Sequence, residues 1–385
     1  MKSAHGQFEG MRLITIVTGL PPRIDGIGDY ALSMACRVQK DTGIETHFIV
    51  GDPAWDGPSS VEGFQVSKLT ERSCANLLRM LARETESASI VLLHYGGYGY
   101  AMRGCPVWLV DGLRRWRNET EGRLLITMFH ELYASGPPWT SAFWLSPLQK
   151  RLAASLAQLS DEYFTSSQHY AEMICKLSLG KHGKARSLPV FSSVGEPCSV
   201  SPLIERSRRL VIFGTPGRRA QAYRRSAAAL NRICDELGIE EILDIGRAID
   251  FDPSQMMRVP VKTCGELPQL EVSRYLSDAV AGALDYPVSV LSKSTIFAAY
   301  CAHAMIPVIA AHGEAAPADG LEASIHYLLS DAEPQKLSLQ SGQAIADSAY
   351  AWYQTHNLSI HAKTLAACLR ASSPLEEGSA TSARI

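Results

Sequence analysis

Short apolar runs alternate along the chain with longer segments whose apolar positions recur at helical spacing. RLITIV (12–17), ETHFIV (45–50), SIVLLHY (89–95) and LLITMFH (124–130) read as strands, with helices predicted near 29–40, 70–86, 107–117 and 141–158. Strands alternating with helices predict a parallel sheet covered on both faces. After the strand-like RSLPVF (186–191), the stretch SSVGEPCSVSPLIERS (192–207) is rich in Ser, Pro and Gly and weakly periodic, as a linker would be. The pattern then restarts. RRLVIFGTPGRR (208–219) is a strand followed by a turn, AQAYRRSAAALNRICDELG (220–238) a helix and EILDIG (241–246) a strand, followed later by the helix TIFAAYCAHA (295–304) and the strand IPVIAAHG (306–313).

The expected fold is therefore α/β, with two Rossmann-like domains facing a central cleft. The predicted organisation is an N-terminal tail over 1–10, a first domain with its linker over 11–200, a second domain over 201–345, a C-terminal helix over 346–371 and a disordered polar tail over 372–385. In such folds ligands bind beyond the carboxyl ends of the strands.

Composition narrows the function. The 385 residues carry a formal net charge of −2, so no global basic field gathers nucleic acid, and no nucleic-acid partner is expected. Nine cysteines are scattered without a C-x-x-C pair, which predicts neither a disulfide framework nor a zinc site and suggests a reducing cytoplasm. No apolar stretch approaches the roughly 20 residues that span a bilayer, so the expectation is a cytoplasmic protein, at most peripheral to the inner face of a membrane. For peripheral contact the sequence offers VWLVDGLRRWR (107–117). There Trp108, Leu109 and Trp116 accompany Arg114, Arg115 and Arg117, in a mix that suits an anionic interface or an ordinary surface helix.

Candidate chemistry gathers at strand ends. TGLPPRIDGIGDYALSMACRV (18–38) leaves a strand through a Gly-containing turn and opens a helix near Asp29. Gly26 and Gly28 permit close approach, and the helix N-terminus presents N–H groups to an anion. Ala31 occupies the third glycine position of a dinucleotide fingerprint and no acidic residue ends the second strand, which disfavours an NAD enzyme. His130 and Glu131 end one strand, while His94 and Tyr95, followed by Gly96 and Gly97, end another. Beyond them, Tyr133, Trp139, Phe143 and Trp144 line an acceptor groove, touch lipid or fill the core; the sequence leaves all three readings open.

In the second half, Arg218 and Arg219 follow a Pro-Gly turn, where guanidinium groups suit a diphosphate. Lys293, Ser294 and Thr295 offer a cation, two hydroxyls and a helix N-terminus without the glycines of a Walker A loop. The carboxylates of Asp250 and Asp252 read as a turn signal rather than a metal site.

Two segments resemble GT-B glycosyltransferases, closest to the family 4-like proteins. GIGDYALSMA resembles their first Gly-rich loop and helix, and AAYCAHAMIPVIA resembles their late helix and strand. The resemblance implies a nucleoside-diphosphate sugar held mainly by the second domain, an acceptor held mainly by the first, and no essential metal or separate cofactor. Gly26 and Gly28 match the Gly-rich loop, with Asp25 where another Gly often stands, and His130 matches a His facing the transferred sugar. Arg218 or Arg219 corresponds to the basic residue at the diphosphate, and Lys293 to Thr295 form the phosphate-facing loop. Two glutamates separated by seven intervening residues are replaced by Ser292 and Tyr300; Asp285 and Tyr286, slightly upstream, are the candidate substitutes.

The expected activity is metal-independent transfer of a hexose-like sugar to the hydroxyl of a carbohydrate or lipid-linked acceptor, in polysaccharide or glycolipid assembly. If the reaction inverts, His130, Glu131, Asp29 and Asp25 are the candidate bases; if it retains, the resemblance implies that the donor phosphate takes the proton. The missing carboxylates keep two alternatives open: a non-catalytic nucleotide-sugar-binding protein or partner subunit, and a sugar-nucleotide epimerase or hydrolase.

Overall fold

A computed structural model describes residues 12–23, 25–84, 90–181, 186–310, 318–330 and 337–371. The tails expected over 1–10 and 372–385 lie outside these residues, as does the end of the stretch over 306–313. The chain divides into two units, one ending at Leu188 and resuming at Leu358, the other spanning Pro189–Asn357.

Unit 1 is built on strands β1 (Arg12–Val17), β2 (Glu45–Val50), β3 (Ser60–Val61), β4 (Phe64–Lys68), β5 (Ile90–Tyr95), β6 (Leu124–Phe129), β7 (Glu162–Thr165) and β8 (Arg186–Ser187). They form one sheet in the order β3-β4-β2-β1-β5-β6-β7-β8, parallel except for the β3–β4 pair. Its helices are α1 (Gly26–Thr42), α2 (Cys74–Glu84), the single turn α3 (Gly97–Tyr100), α4 (Val107–Glu119), α5 (Ser141–Leu159) and α6 (Gln168–Leu177). Every residue of β5 is buried, as a parallel strand with helices on both faces must be.

Unit 2 carries β9 (Ser207–Phe213), α7 (Pro216–Leu237), β10 (Glu241–Ile245), β11 (Val261–Gly265), α8 (Gln269–Asp278), β12 (Ala279–Leu284), α9 (Thr295–Ala302), β13 (Ile306–Ile309), β14 (Leu328–Leu329) and α10 (Leu339–Gln354). Its sheet is parallel throughout, in the order β11-β10-β9-β12-β13-β14. The central strand β12 is the element that the apolar pattern hides. Its sequence AVAGAL has no β-branched run, and it is a strand because its neighbours bury it completely. Gly282 is required there, since a Cβ would lie 2.5 Å from the ring of Tyr300.

Three expectations are corrected. The C-terminal segment 346–371 is not one helix: α10 ends at Gln354, and a separate helix α11 (Leu358–Ala371) belongs to unit 1. There it packs on α1, with Tyr30 hydroxyl and His361 Nδ1 sharing a hydrogen bond of 2.7 Å and Arg37 donating to Ser359. The stretch 192–207 is not a free linker but the packed entry to unit 2. Ser192 N donates to Tyr353 Oη (3.0 Å), Leu203 N to Gln343 Oε1 (2.7 Å), and the buried Arg206 to the carbonyls of Ser201, Ala279 and His303. Finally, the tryptophans of α4 do not form an exposed face: Trp116 and Leu109 are core residues and Trp108 is half-buried.

Both sheets reverse strand order once, between β1 and β5 in unit 1 and between β9 and β12 in unit 2. Loops leaving the carboxyl ends of strands on opposite sides of a reversal diverge, which is where open α/β sheets form crevices; in unit 2 a cavity opens at that point. In unit 1 the loop after β1 interlocks with the start of α1. Asp25 caps α1 by accepting from Ile27 N and Gly28 N (2.9 and 3.2 Å), and Thr18 Oγ1 donates to its other oxygen (2.7 Å).

The two loop glycines therefore differ. A Cβ on Gly28 would lie 2.1 Å from the carbonyl oxygen of Gly19, whereas one on Gly26 meets nothing within 4 Å. Gly28→Ala is expected to destabilise unit 1 by about 1–3 kcal/mol as an overpacked site, while Gly26→Ala is neutral or slightly stabilising; urea denaturation of the two variants checks the contrast.

Candidate active site

The crevice of unit 2 is a cavity of about 240 Å³, lined at its polar end by Arg218, Asp285, Tyr286, Lys293, Ser294 and Thr295. Two strand ends and two helix starts place these groups. β9 runs through Gly214 into α7, whose first residue is Pro216 and whose N-cap Thr215 makes no side-chain capping bond, so the first amides of this helix of 22 residues remain presented. β12 ends at Leu284 and delivers Asp285 and Tyr286. α9 starts at Thr295, capped by Ser294, whose hydroxyl accepts from Phe297 N (3.2 Å).

The two arginines that follow the Pro-Gly turn have opposite fates. Arg218 is exposed; its guanidinium lies over the Tyr286 ring at 5.1 Å and 3.8 Å from Asp285. Arg219 is 1% exposed and committed to the fold, donating to Asp244 and to the carbonyls of Gly214 (3.1 Å) and Arg247. Tyr223 Oη adds a second donor to Asp244 at 3.0 Å. The sequence-based pairing of both arginines with a diphosphate is thus corrected: Arg219 braces the loop, and Arg218 is the one left facing solvent. A cation in the first turn of a helix opposes the helix dipole. Asp285 offsets part of that conflict, and Arg225, which the sequence reading passed over, holds the same carboxylate at 3.0 Å.

The residues standing where the resemblance places glutamates have other tasks. Ser292 is buried and donates to Asp319. Tyr300 is fully buried, and its hydroxyl donates to the carbonyls of Val211 (3.2 Å) and Ala283 (3.0 Å), bridging β9 and β12 behind the cavity. Among the described residues that line the cavity, Asp285 supplies the only carboxylate.

In unit 1 the ends of β5 and β6 bring His94 and His130 together with Tyr30 of α1 and His361 of α11. The His94 and His130 rings lie 21° from parallel with centroids 5.3 Å apart, and His94 Nδ1 is 3.0 Å from His130 Nε2. Tyr30 meets both rings and His361 edge-on. Burial pushes the His94 imidazole down to about 3, so it is neutral, and its Nε2 finds no hydrogen-bond partner. An orphaned buried N–H is less tolerated than an under-used acceptor. The proton of His94 therefore sits on Nδ1 and is donated to His130 Nε2. That bond takes Nε2 of His130 out of service as a base.

Other expected residues separate from the cluster. Tyr95 is a core residue packed on Phe129, with its hydroxyl buried and unpartnered, so its expected role as a ligand contact is withdrawn. Asp25 is occupied as the cap of α1. Glu131 is exposed on the loop after β6. Asp29, in the first turn of α1, is half-buried, and burial together with the nearby Asp25 charge pushes its carboxyl up to about 6. Asp250 pairs with Arg224 while Asp252 accepts from Ser254, the turn chemistry expected of that stretch. Among the described residues no group of three or more His, Cys, Asp or Glu side chains is placed to hold a metal ion. Tyr30 lay within the glycine-rich stretch, but its partner His361 is 331 residues away and carried no local signal.

The sequence matches no protein-family model and no curated protein. The structure does match solved ones over nearly its whole length. A glycosyltransferase from Rickettsia africae superposes with a TM-score of 0.58 at 10% identity, covering 95% of this chain and 99% of that one. An α,α-trehalose 6-phosphate synthase from Burkholderia multivorans gives 0.57 at 14% identity, covering 94% and 96%. An α-glucosyltransferase in complex with UDP gives 0.56 at 9% identity, covering 94% and 100%. At such identities the likeness establishes the fold, which is GT-B.

Restoring the carboxylate that the resemblance expects at position 300 is predicted to fail. Tyr300→Glu places an unpaired charge in the core and is expected to cost 3 kcal/mol or more, against about 1–2 kcal/mol for Tyr300→Phe; urea titrations of both variants measure the difference.

Proposed function

We propose that the protein is a glycosyltransferase whose unit 2 binds a nucleoside-diphosphate sugar. The observation that carries the reading is the unit 2 cavity itself, at the strand-order reversal, with Arg218, Lys293 and the starts of α7 and α9 around it. An anion at that place meets presented amides, two helix dipoles and two cations. Uridine is the base we favour, on the likeness to an α-glucosyltransferase in complex with UDP.

In transfer, an acceptor oxygen forms a bond to the anomeric carbon as the bond from that carbon to the β-phosphate oxygen breaks, and the diphosphate leaves with the electron pair. Charge develops on the leaving oxygen, where preorganised cations act most strongly. Arg218 supplies a planar fork and Lys293 a compact charge, so the reading needs no resident metal. Asp285, held by Arg225, is the carboxylate available in the cavity for a ribose or sugar hydroxyl and stands in for the absent glutamates.

For the acceptor we assign the hydroxyl proton to Asp29. Its raised pKa gives a base poised near neutrality, whereas His130 Nε2 already accepts from His94. The reaction then inverts the anomeric centre. A carbohydrate or lipid-linked hydroxyl is the acceptor class that the sequence resemblance favours.

Two sets of measurements test this reading. Arg218→Ala is expected to lower kcat/KM for a UDP-sugar at least a hundredfold while leaving stability unchanged, and a chelator should leave wild-type turnover intact. NMR of the product should show inverted configuration; consumption of the sugar nucleotide without any acceptor would point instead to an epimerase or hydrolase.

Asp29 provides a pH signature. Its folded pKa lies above the ordinary carboxylate value, so its contribution favours the folded state at low pH and is lost as pH rises through about 6. Asp29→Asn should therefore be more stable than wild type at pH 8 and no more stable at pH 4. Wild-type turnover should rise with pH through about 6, and Asp29→Asn should lose a hundredfold or more of it.

A further inference from the structure

The start of α5 and the loop before α4 expose an apolar surface that the core does not explain. Trp139 is 84% exposed, Trp144 72% and Met102 85%, and Tyr98, Phe143 and Leu148 are exposed around them. These residues are held as one surface. Gln149, 1% exposed, donates to Arg103 O (2.8 Å) and Tyr98 Oη (3.3 Å) while accepting from Ala134 N (2.7 Å), which fastens both loops to α5. Phe143 and Trp144 meet edge-on at 5.3 Å. Soluble surfaces rarely leave so many large apolar side chains together without an occupant.

The charges indicate what the occupant is. Segments 96–110 and 132–160 contain no Asp or Glu, and their cations Arg103, Lys150 and Arg151 are all exposed. A second copy of the chain would bring the same cations face to face. A sugar acceptor would account for the tryptophans but not for Met102 and Leu148. Tryptophan and tyrosine, long aliphatic side chains and unpaired-sign cations together are the composition of a surface that settles into the headgroup region of an anionic bilayer.

We propose that this surface of unit 1 docks the protein on anionic lipid. The inference moves membrane contact away from α4, where Trp116 is in the core and Arg114 and Arg117 pair with Asp111 and Asp161. It does not depend on the catalytic reading, because vesicle binding is measured without turnover.

The test is cosedimentation at low salt with vesicles of phosphatidylcholine alone or mixed with phosphatidylglycerol. Wild type should bind the mixed vesicles and be released by salt. Trp139→Ala/Trp144→Ala and Lys150→Glu/Arg151→Glu should each bind at least tenfold more weakly, while Arg115→Glu on α4 should bind as wild type does. These side chains are exposed, and circular dichroism confirms that the variants fold. Absence of wild-type binding, unchanged binding by either double variant, or loss confined to Arg115→Glu would overturn the proposal. So would a dimer in sedimentation velocity that the tryptophan variant abolishes, since a second copy would then be the occupant.

Discussion

The buried pair of Arg219 and Asp244 is the constraint on which the strand-end loops of unit 2 depend. Its guanidinium ties together the loop after β9, through Gly214, and the loop after β10, through Arg247, while Tyr223 holds the other carboxylate oxygen. Removing one partner of a buried pair leaves an uncompensated charge and is far more damaging than the pair is stabilising. The consequence is geometric. With Arg219 fixed inside, the residue before it must point outward, and Arg218 is delivered to the cavity mouth at the first turn of α7.

Unit 1 achieves the same end by close backbone approach. Gly28 lets α1 begin against the carbonyl of Gly19, and Asp25 locks that start by capping it. The helix thereby brings Tyr30 to the carboxyl ends of β5 and β6, beside His94 and His130, and leaves Asp29 half-buried in its first turn. Burial then sets the state of each titratable group in its own place. It keeps His94 neutral and a donor, makes His130 Nε2 an acceptor, and raises the Asp29 carboxyl toward neutrality.

Much of this was legible in the sequence where the signal was local. The apolar runs placed β1, β2, β5, β6, β9 and β10, and the glycine-rich turn marked the start of α1 to within a turn, near Asp29 rather than at Gly26, without revealing Asp25 as its cap. Strand β12 was not legible, because Ala and Gly carry no strand propensity and only burial between β9 and β13 makes them one. The break between α10 and α11 was hidden for a similar reason: both helices are amphipathic, and only their partners, in different units, distinguish them. At the site, Arg218 and Arg219 look interchangeable in sequence. Which one serves the fold is decided by Asp244, 25 residues from Arg219, and no local pattern reports that.

In the proposed function, unit 2 holds a nucleoside diphosphate through Arg218 and Lys293. Isothermal titration of the full chain with UDP, GDP and ADP tests it most directly, with Arg218→Ala titrated alongside. One clear binder, UDP, is expected, with an affinity that falls at least tenfold in Arg218→Ala. Absence of binding by all three diphosphates at millimolar concentration, or binding that Arg218→Ala leaves unchanged, would contradict it.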